Sequence, residues 1–358
     1  MAIFNPTPAV LEKDVQALSE VIFASAFRNA NVPVSRLHAI FTGIECNKRI
    51  QLIGNRASGR AMSGDCSFPT GTSYPTSTKT WTPVSIADEL AICSDELKCS
   101  MDYMMNNYRT TLEKYNLEGS ETAQFLAVKT AEEILDAVYR ISAFGDTGYV
   151  NPAGNTFDAT LVTGLNGYWK QIFDAVAAVT IPANRVIAIT ENAAATYAAQ
   201  VTLASDTAYN TLKSMYMTGD SRLKNDSNAY FALTSEMFDN YLFYMQESTN
   251  GSAIAVEQLE TGGRAITGVG AFMGIDVIER PDWSKTIYDS TFDGTVADMP
   301  NRALFVTPTT LSLGLLSEAD LDSYEFFYDR KENLNYNRWA VQVDAKLLEE
   351  DYKIVVAY

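Results

Sequence analysis

The feature that most constrains what this chain can fold into is residues 120–144, SETAQFLAVKTAEEILDAVYRISAF, a stretch without Gly or Pro. As a helix it would run roughly 37 Å, the width of a small domain. Ser120, after Gly119, suits an N-cap, Glu121 suits the positive end of the helix dipole, and Gly145 stops the far end. Phe125, Val128, Ala131, Leu135, Val138 and Ile141 recur at three- and four-residue spacing, and Leu126, Ile134, Ala137 and Phe144 widen that stripe beyond one face. Only a narrow polar strip remains, through Lys129, Glu132, Glu133, Asp136 and Arg140. A helix this apolar needs other elements along most of its surface, so the sequence predicts a backbone helix for the whole fold. Taken alone, the stretch also fits a core helix of a globular enzyme.

The chemistry of the chain narrows its function. With 47% hydrophobic and 20% charged residues over 358, it can bury a large core in two or three lobes. No apolar run reaches the roughly 18 residues that span a bilayer, and the start MAIFNPTPAVLEKD lacks the layout of a signal peptide, so a soluble protein is expected. A net charge of −17 argues against binding nucleic acid by neutralising its phosphates. Cys46, Cys66, Cys93 and Cys99 match no common zinc spacing and read as reduced thiols. His38 is the only histidine, so a Ser-His or Cys-His pair would have to use it; set among apolar residues in VSRLHAIFTG, it reads as structural. TGGRAITGVGAFMG, with Gly268, Gly270 and Gly274, misses the dinucleotide-binding spacing by one residue and reads as sheet turns. The sequence thus offers no candidate catalytic, cofactor-binding or metal-ligating residue.

In chain order, 8–27 reads as an N-terminal helix on an arm, and VPVSRLHAIFTGIECN as an extended segment. Strand-like pieces at 48–55 and 78–92 flank a Gly-, Ser-, Thr- and Pro-rich middle with too few large apolar residues to make its own core. Such a stretch is either a long hairpin arm ordered on a neighbouring molecule or a surface loop. Leu97, Met101, Met104, Tyr108, Leu112 and Tyr115 mark another helix, followed by the long one. Helix and strand then alternate. YWKQIFDAVAAV, NAAATYAAQ, TAYNTLKSMYM and SEMFDNYLFYMQ, the last capped by Ser235, read as helices; NRVIAIT, NAYFALT, AFMGIDVIER (ending at Pro281) and RALFVTPTTLSLGLL read as strands. The tail from Phe326 carries at least two long strands that are expected to rejoin the earlier domain.

This layout resembles the major capsid protein of tailed phages, with the Hong Kong 97-like fold. The resemblance rests on the arm, the loop hairpin ending in TWTPVSIADELAICSDEL, the long helix closing on FGDTG, and the crossing at VTGLNG. It continues through YFALTSEMFDNYL, GAFMGIDVIERPDW and the closing YDRKENLNYNRWAVQVDAKLLEEDYKIVVAY. It implies an α+β chain divided into an N-terminal arm (1–45), an extended loop hairpin (46–92), a peripheral domain with the spine helix (93–164 and 317–358), and an axial α/β domain (165–316) with a small insertion near 165–204.

The function implied is structural, with no enzyme activity: self-assembly, as pentamers and hexamers, into an icosahedral shell around the double-stranded DNA of a tailed phage. That implies a virion protein assembled in host cytoplasm, with a portal protein as partner and neither a membrane nor sequence-specific nucleic-acid binding. A scaffold would come as a separate protein, because too little chain precedes the hairpin to supply one. The family sometimes joins such loops through a Lys-Asn bond; Lys48 and Lys79 are the lysines here, but no matching motif accompanies them. Two other readings stay open: an encapsulin-like cellular nanocompartment shell, and an acidic intracellular enzyme using carboxylates such as those in SEADLDSYE or LLEEDYK.

Overall fold

The computed structural model describes residues 34–46, 48–53, 76–93, 121–247, 269–316, 325–332, 334–349 and 352–358. The expected helices at 8–27 and around Leu97–Tyr115, the Ser120 cap, the middle of the hairpin, and Cys66 and Cys99 lie outside these.

The long helix spans Glu121–Phe144, and Thr130, Ile134, Val138 and Ile141 form its buried stripe. A strand of fourteen residues, Leu334–Leu347, lies against it. Along this strand Asn335, Asn337, Trp339, Val341, Val343, Ala345 and Leu347 are buried at alternate positions, as a sheet with one face on a core requires, and Asp344 is buried on the other face. Asn337 donates from Nδ2 to Thr130 Oγ1 on the helix, a polar contact within that face.

Five strands make this first sheet. Val84–Cys93 pairs antiparallel with one edge of the long strand. Leu311–Leu315 and Glu325–Asp329 share its opposite edge, one after the other, and Ala39–Phe41 adds in parallel to Leu311–Leu315. A second sheet has six strands, in the order Val186–Ile187, Ile354–Ala357, Ala303–Val306, Tyr230–Leu233, Ile275–Glu279 and Val269–Phe272. Its three central strands are buried at every residue because helices cover both faces. Thr207–Thr218 and Ser235–Glu247 pack on one side, where Phe231 stacks on Phe305 at 4.3 Å. Tyr168–Ala177 and Pro281–Thr291 lie on the other, in the core they share with the long helix.

Several expectations need correction. The tail divides between the sheets: Leu334–Leu347 stays with the long helix, whereas Ile354–Ala357 enters the six-stranded sheet between Val186–Ile187 and Ala303–Val306. Conversely, Leu311–Leu315, read as part of the middle lobe, joins the long strand. The run 78–92 is two strands, Thr76–Thr80 and Val84–Cys93, broken at Trp81, Thr82 and Pro83. AFMGIDVIER is a hairpin, turning at Met273 (φ 52°) and Gly274 (φ 79°), the paired positive values that a tight primed turn needs. NRVIAIT contributes only the half-buried edge pair Val186–Ile187. NAAATYAAQ splits into a short turn and the helix Tyr197–Val201, and VPVSRLHAIF begins with a single helical turn, Val34–Leu37. Ser235 is the first residue of its helix, and its Oγ donates to Glu279 Oε1 at 2.7 Å.

Candidate assembly surfaces

The expected hairpin exists, and its strands, Arg49–Ile53 and Thr76–Thr80, pair antiparallel in register. Its root is tightly fastened. Trp81 is 3% exposed and wedged beside Ile44 and Gly314, where a Cβ on residue 314 would come within 2.7 Å of both. Only glycine admits the indole. Thr82 N–H donates to Asp344 Oδ2 at 2.6 Å, Lys346 Nζ lies 3.2 Å from the same carboxylate, and Trp81 N–H donates to the Lys48 carbonyl. Along the shaft Arg49, Gln51 and Thr78 are exposed, and Ile50, Leu52, Lys79 and Thr80 are half-buried. Two strands alone are marginal in water, so this shaft needs a surface from elsewhere. Lys48 Nζ donates to the Gly43 carbonyl and Lys79 Nζ to the Leu347 carbonyl, so both ammonium groups are turned onto their own chain.

Val84–Cys93 behaves similarly. Val84 and Ile86 pack on the core, but Ala87, Asp88, Glu89, Leu90 and Ala91 are all exposed, which bares both faces of the strand there.

The opposite end of the long helix is locked. Gly145 N–H donates to the Ile141 carbonyl, and Gly167 N–H to the Gly145 carbonyl at 2.7 Å. A Cβ on Gly145 would lie 2.3 Å from the Leu165 carbonyl, and one on Gly167 would lie 2.7 Å from Gly145 N and Ser142 O. Two arginines brace the helices beyond this crossing. Arg302 donates to the carbonyls of Met299 and Asp298 at 2.8 and 2.9 Å and lies over the Trp169 ring at 4.9 Å; burial brings its guanidinium down to about 10. Arg280 pairs with Asp282 through 2.9 and 2.6 Å bonds and lies over Tyr139 and Trp283. Neither arginine was singled out by the sequence, where each looks like surface charge; the aromatic rings around them come from distant elements.

His38 is 1% exposed. Its Nδ1 lies 3.1 Å from the Leu311 carbonyl and therefore carries the proton, and its ring stacks on Tyr168 at 5.2 Å. Burial, then the Arg280 cation, hold it at about 3, far below an ordinary imidazole. Cys46 is a free, exposed thiol. Of the LLEEDYK carboxylates, Glu349 is engaged by Lys353 at 2.9 Å and by the Tyr352 hydroxyl at 2.7 Å, and Glu350 and Asp351 lie outside the described residues, as does most of SEADLDSYE. Among the described residues no group of three or more His, Cys, Asp or Glu could hold a metal ion, and no helix is long and apolar enough to cross a membrane. A cavity of about 580 Å³ beside the long helix is lined by charges of both signs, Asp136, Arg140, Lys285 and Asp289. Arg140 there pairs with Asp136 at 3.0 Å.

No family model matches this sequence, and no curated protein does. Solved structures do. A chain of the satellite phage P4 procapsid, which includes the size determination (Sid) protein, matches with a TM-score of 0.50 at 10% identity, covering 95% of this chain and 98% of that one. A chain from Mycobacterium phage Ogopogo matches with a TM-score of 0.51 at 11% identity, covering 90% of each. Likeness at this level of identity is likeness of fold, and the fold is the mixed helix-and-sheet, Hong Kong 97-like one of phage capsids.

Proposed function

We propose that this chain is a major capsid protein, which self-assembles into the icosahedral shell enclosing the double-stranded DNA of a tailed phage. The observation that carries this reading is a capsid-type fold over 95% of the chain, joined to a hairpin fastened at its root and bare along its shaft. A subunit meant to remain single has no use for such a projection. Laid across an adjacent copy, the shaft gains the covering it lacks. Rings of five and six subunits, a separate scaffolding protein and a portal protein complete the proposal, with assembly in host cytoplasm and residence in the virion. A net charge of −17 fits a container whose DNA is driven in rather than condensed on a cationic lining. The test is negative-stain microscopy of the purified protein, made alone and with a scaffold encoded beside it. Closed particles of uniform size are expected with the scaffold; a monomer or small oligomer in both preparations would contradict the reading.

A further inference from the structure

The segment Arg36–Phe41 touches both sheets, and its fastenings fall on one short piece of chain. On the six-stranded side, Arg36 pairs with Asp276, and the Leu37 carbonyl accepts from the Tyr230 hydroxyl at 2.6 Å. On the five-stranded side, Ala39 N–H donates to the Pro308 carbonyl at 2.8 Å, and Ala39, Ile40 and Phe41 pair with Ser312, Leu313 and Gly314. His38 sits between the two sets, with Nδ1–H on the Leu311 carbonyl.

The described groups around His38 are phenols and a cation, with no carboxylate bonded to the ring. Tyr139 of the long helix lies 6.1 Å away between ring centroids, and Tyr168 of the following helix 5.2 Å. Tyr230 comes from the central strand, and its hydroxyl proton is spent on Leu37. The nearest formal charge named in its electrostatics is the cation of Arg280, whose partner Asp282 is already engaged by two hydrogen bonds; Asp344, on the long strand, acts on Tyr168 and accepts from Thr82 N–H. His38 Nε2, the Tyr139 and Tyr168 hydroxyls and Arg280 Nη1 are all buried without a hydrogen-bond partner. A proton on Nε2 would add a second buried cation beside that of Arg280, and among the described residues no carboxylate is bonded to the ring to offset it.

We propose that His38 is a proton-operated latch: while its imidazole is neutral, Arg36–Phe41 ties the two sheets together, and a proton taken from solvent onto Nε2 drives the segment out. The open form, with the ring in water, binds the proton near pH 6.5 and the closed form does so near 3. The sign follows: the closed form is fully favoured above about pH 6.5 and loses ground as pH falls from there toward 3. The open fraction rises up to about tenfold for each pH unit in that window. The device does not depend on what the chain assembles into.

The test uses unassembled subunits. Amide hydrogen exchange at Ala39, Ile40 and Phe41, corrected for its intrinsic pH dependence, should accelerate up to about tenfold per unit from pH 6.5 downward. In His38→Asn, whose side-chain amide can keep the bond to Leu311 but takes no proton, it should be flat. The same acceleration in both proteins, or none in either, overturns the latch. If the variant fails to fold, the native chain still decides, because it has one histidine and hence one imidazole signal in NMR. Titration coincident with opening of the segment supports the latch, and titration near pH 6.5 in a closed segment overturns it.

Discussion

The two larger sheets among the described residues meet their burial in opposite ways. Ala303–Val306, Tyr230–Leu233 and Ile354–Ala357 are buried at every position by helices of the same chain. In the other sheet the long strand Leu334–Leu347 covers one face with the spine helix, while Ala87–Ala91 beside it are bare; the hairpin shaft, a separate two-stranded sheet, exposes Arg49, Gln51 and Thr78. If the chain assembles as proposed, the difference separates what stabilises the subunit from what meets its neighbours. Substitutions in the first sheet should act on the single subunit, and substitutions at the free parts of the second should act on contacts between copies.

The largest expected effect breaks the comparison if it fails. Phe305→Ala removes a ring stacked on Phe231 in the middle of the six-stranded sheet, and should cost the isolated subunit about 3–5 kcal/mol in denaturant unfolding. Loss of assembly with an unchanged midpoint would place that ring in an interface instead.

A smaller effect should appear at Val179, just past the helix Tyr168–Ala177. Thr180 N–H reaches back to the Ala175 carbonyl and Val179 N–H to the Val176 carbonyl, a helix-ending geometry that normally uses glycine. Val179 holds φ at 60° and is 72% exposed. Val179→Gly should relieve roughly 1 kcal/mol of strain and raise the subunit's melting temperature. A lower melting temperature would mean the valine makes a contact worth more than its strain.

The smallest effect on the subunit should come from Leu90→Lys. Leu90 is 48% exposed on the bare half of Val84–Cys93, and its replacement should change subunit stability by no more than about 0.5 kcal/mol. In assembly assays the same protein should give fewer or incomplete particles. Wild-type yield would remove this strand from the contact surface.

How far the sequence disclosed this division can be argued from particular residues. The long helix was readable because its apolar period persists through Ile134, Val138 and Ile141, and the long strand because its alternation survives from Asn335 to Leu347. Periodicity reports that a residue is buried, but not against what. Leu311–Leu315 and Ile354–Ala357 both read as buried strands, and each belongs to the sheet opposite the one expected. The hairpin's shaft was readable from its composition, yet its anchor was not: a tryptophan admitted by a glycine more than two hundred residues away has no local signature. Arg280 and Arg302 were hidden for the same reason.

The central claim is that the hairpin shaft is covered by another copy, and hydrogen exchange at Arg49–Ile53 and Thr76–Thr80 tests it most directly. In free subunits these amides should exchange quickly, since a two-stranded ladder is marginal in water. In assembled particles they should slow by at least about a hundredfold, the change expected when an opening costs roughly 3 kcal/mol more. Equal exchange in the two states would contradict the account.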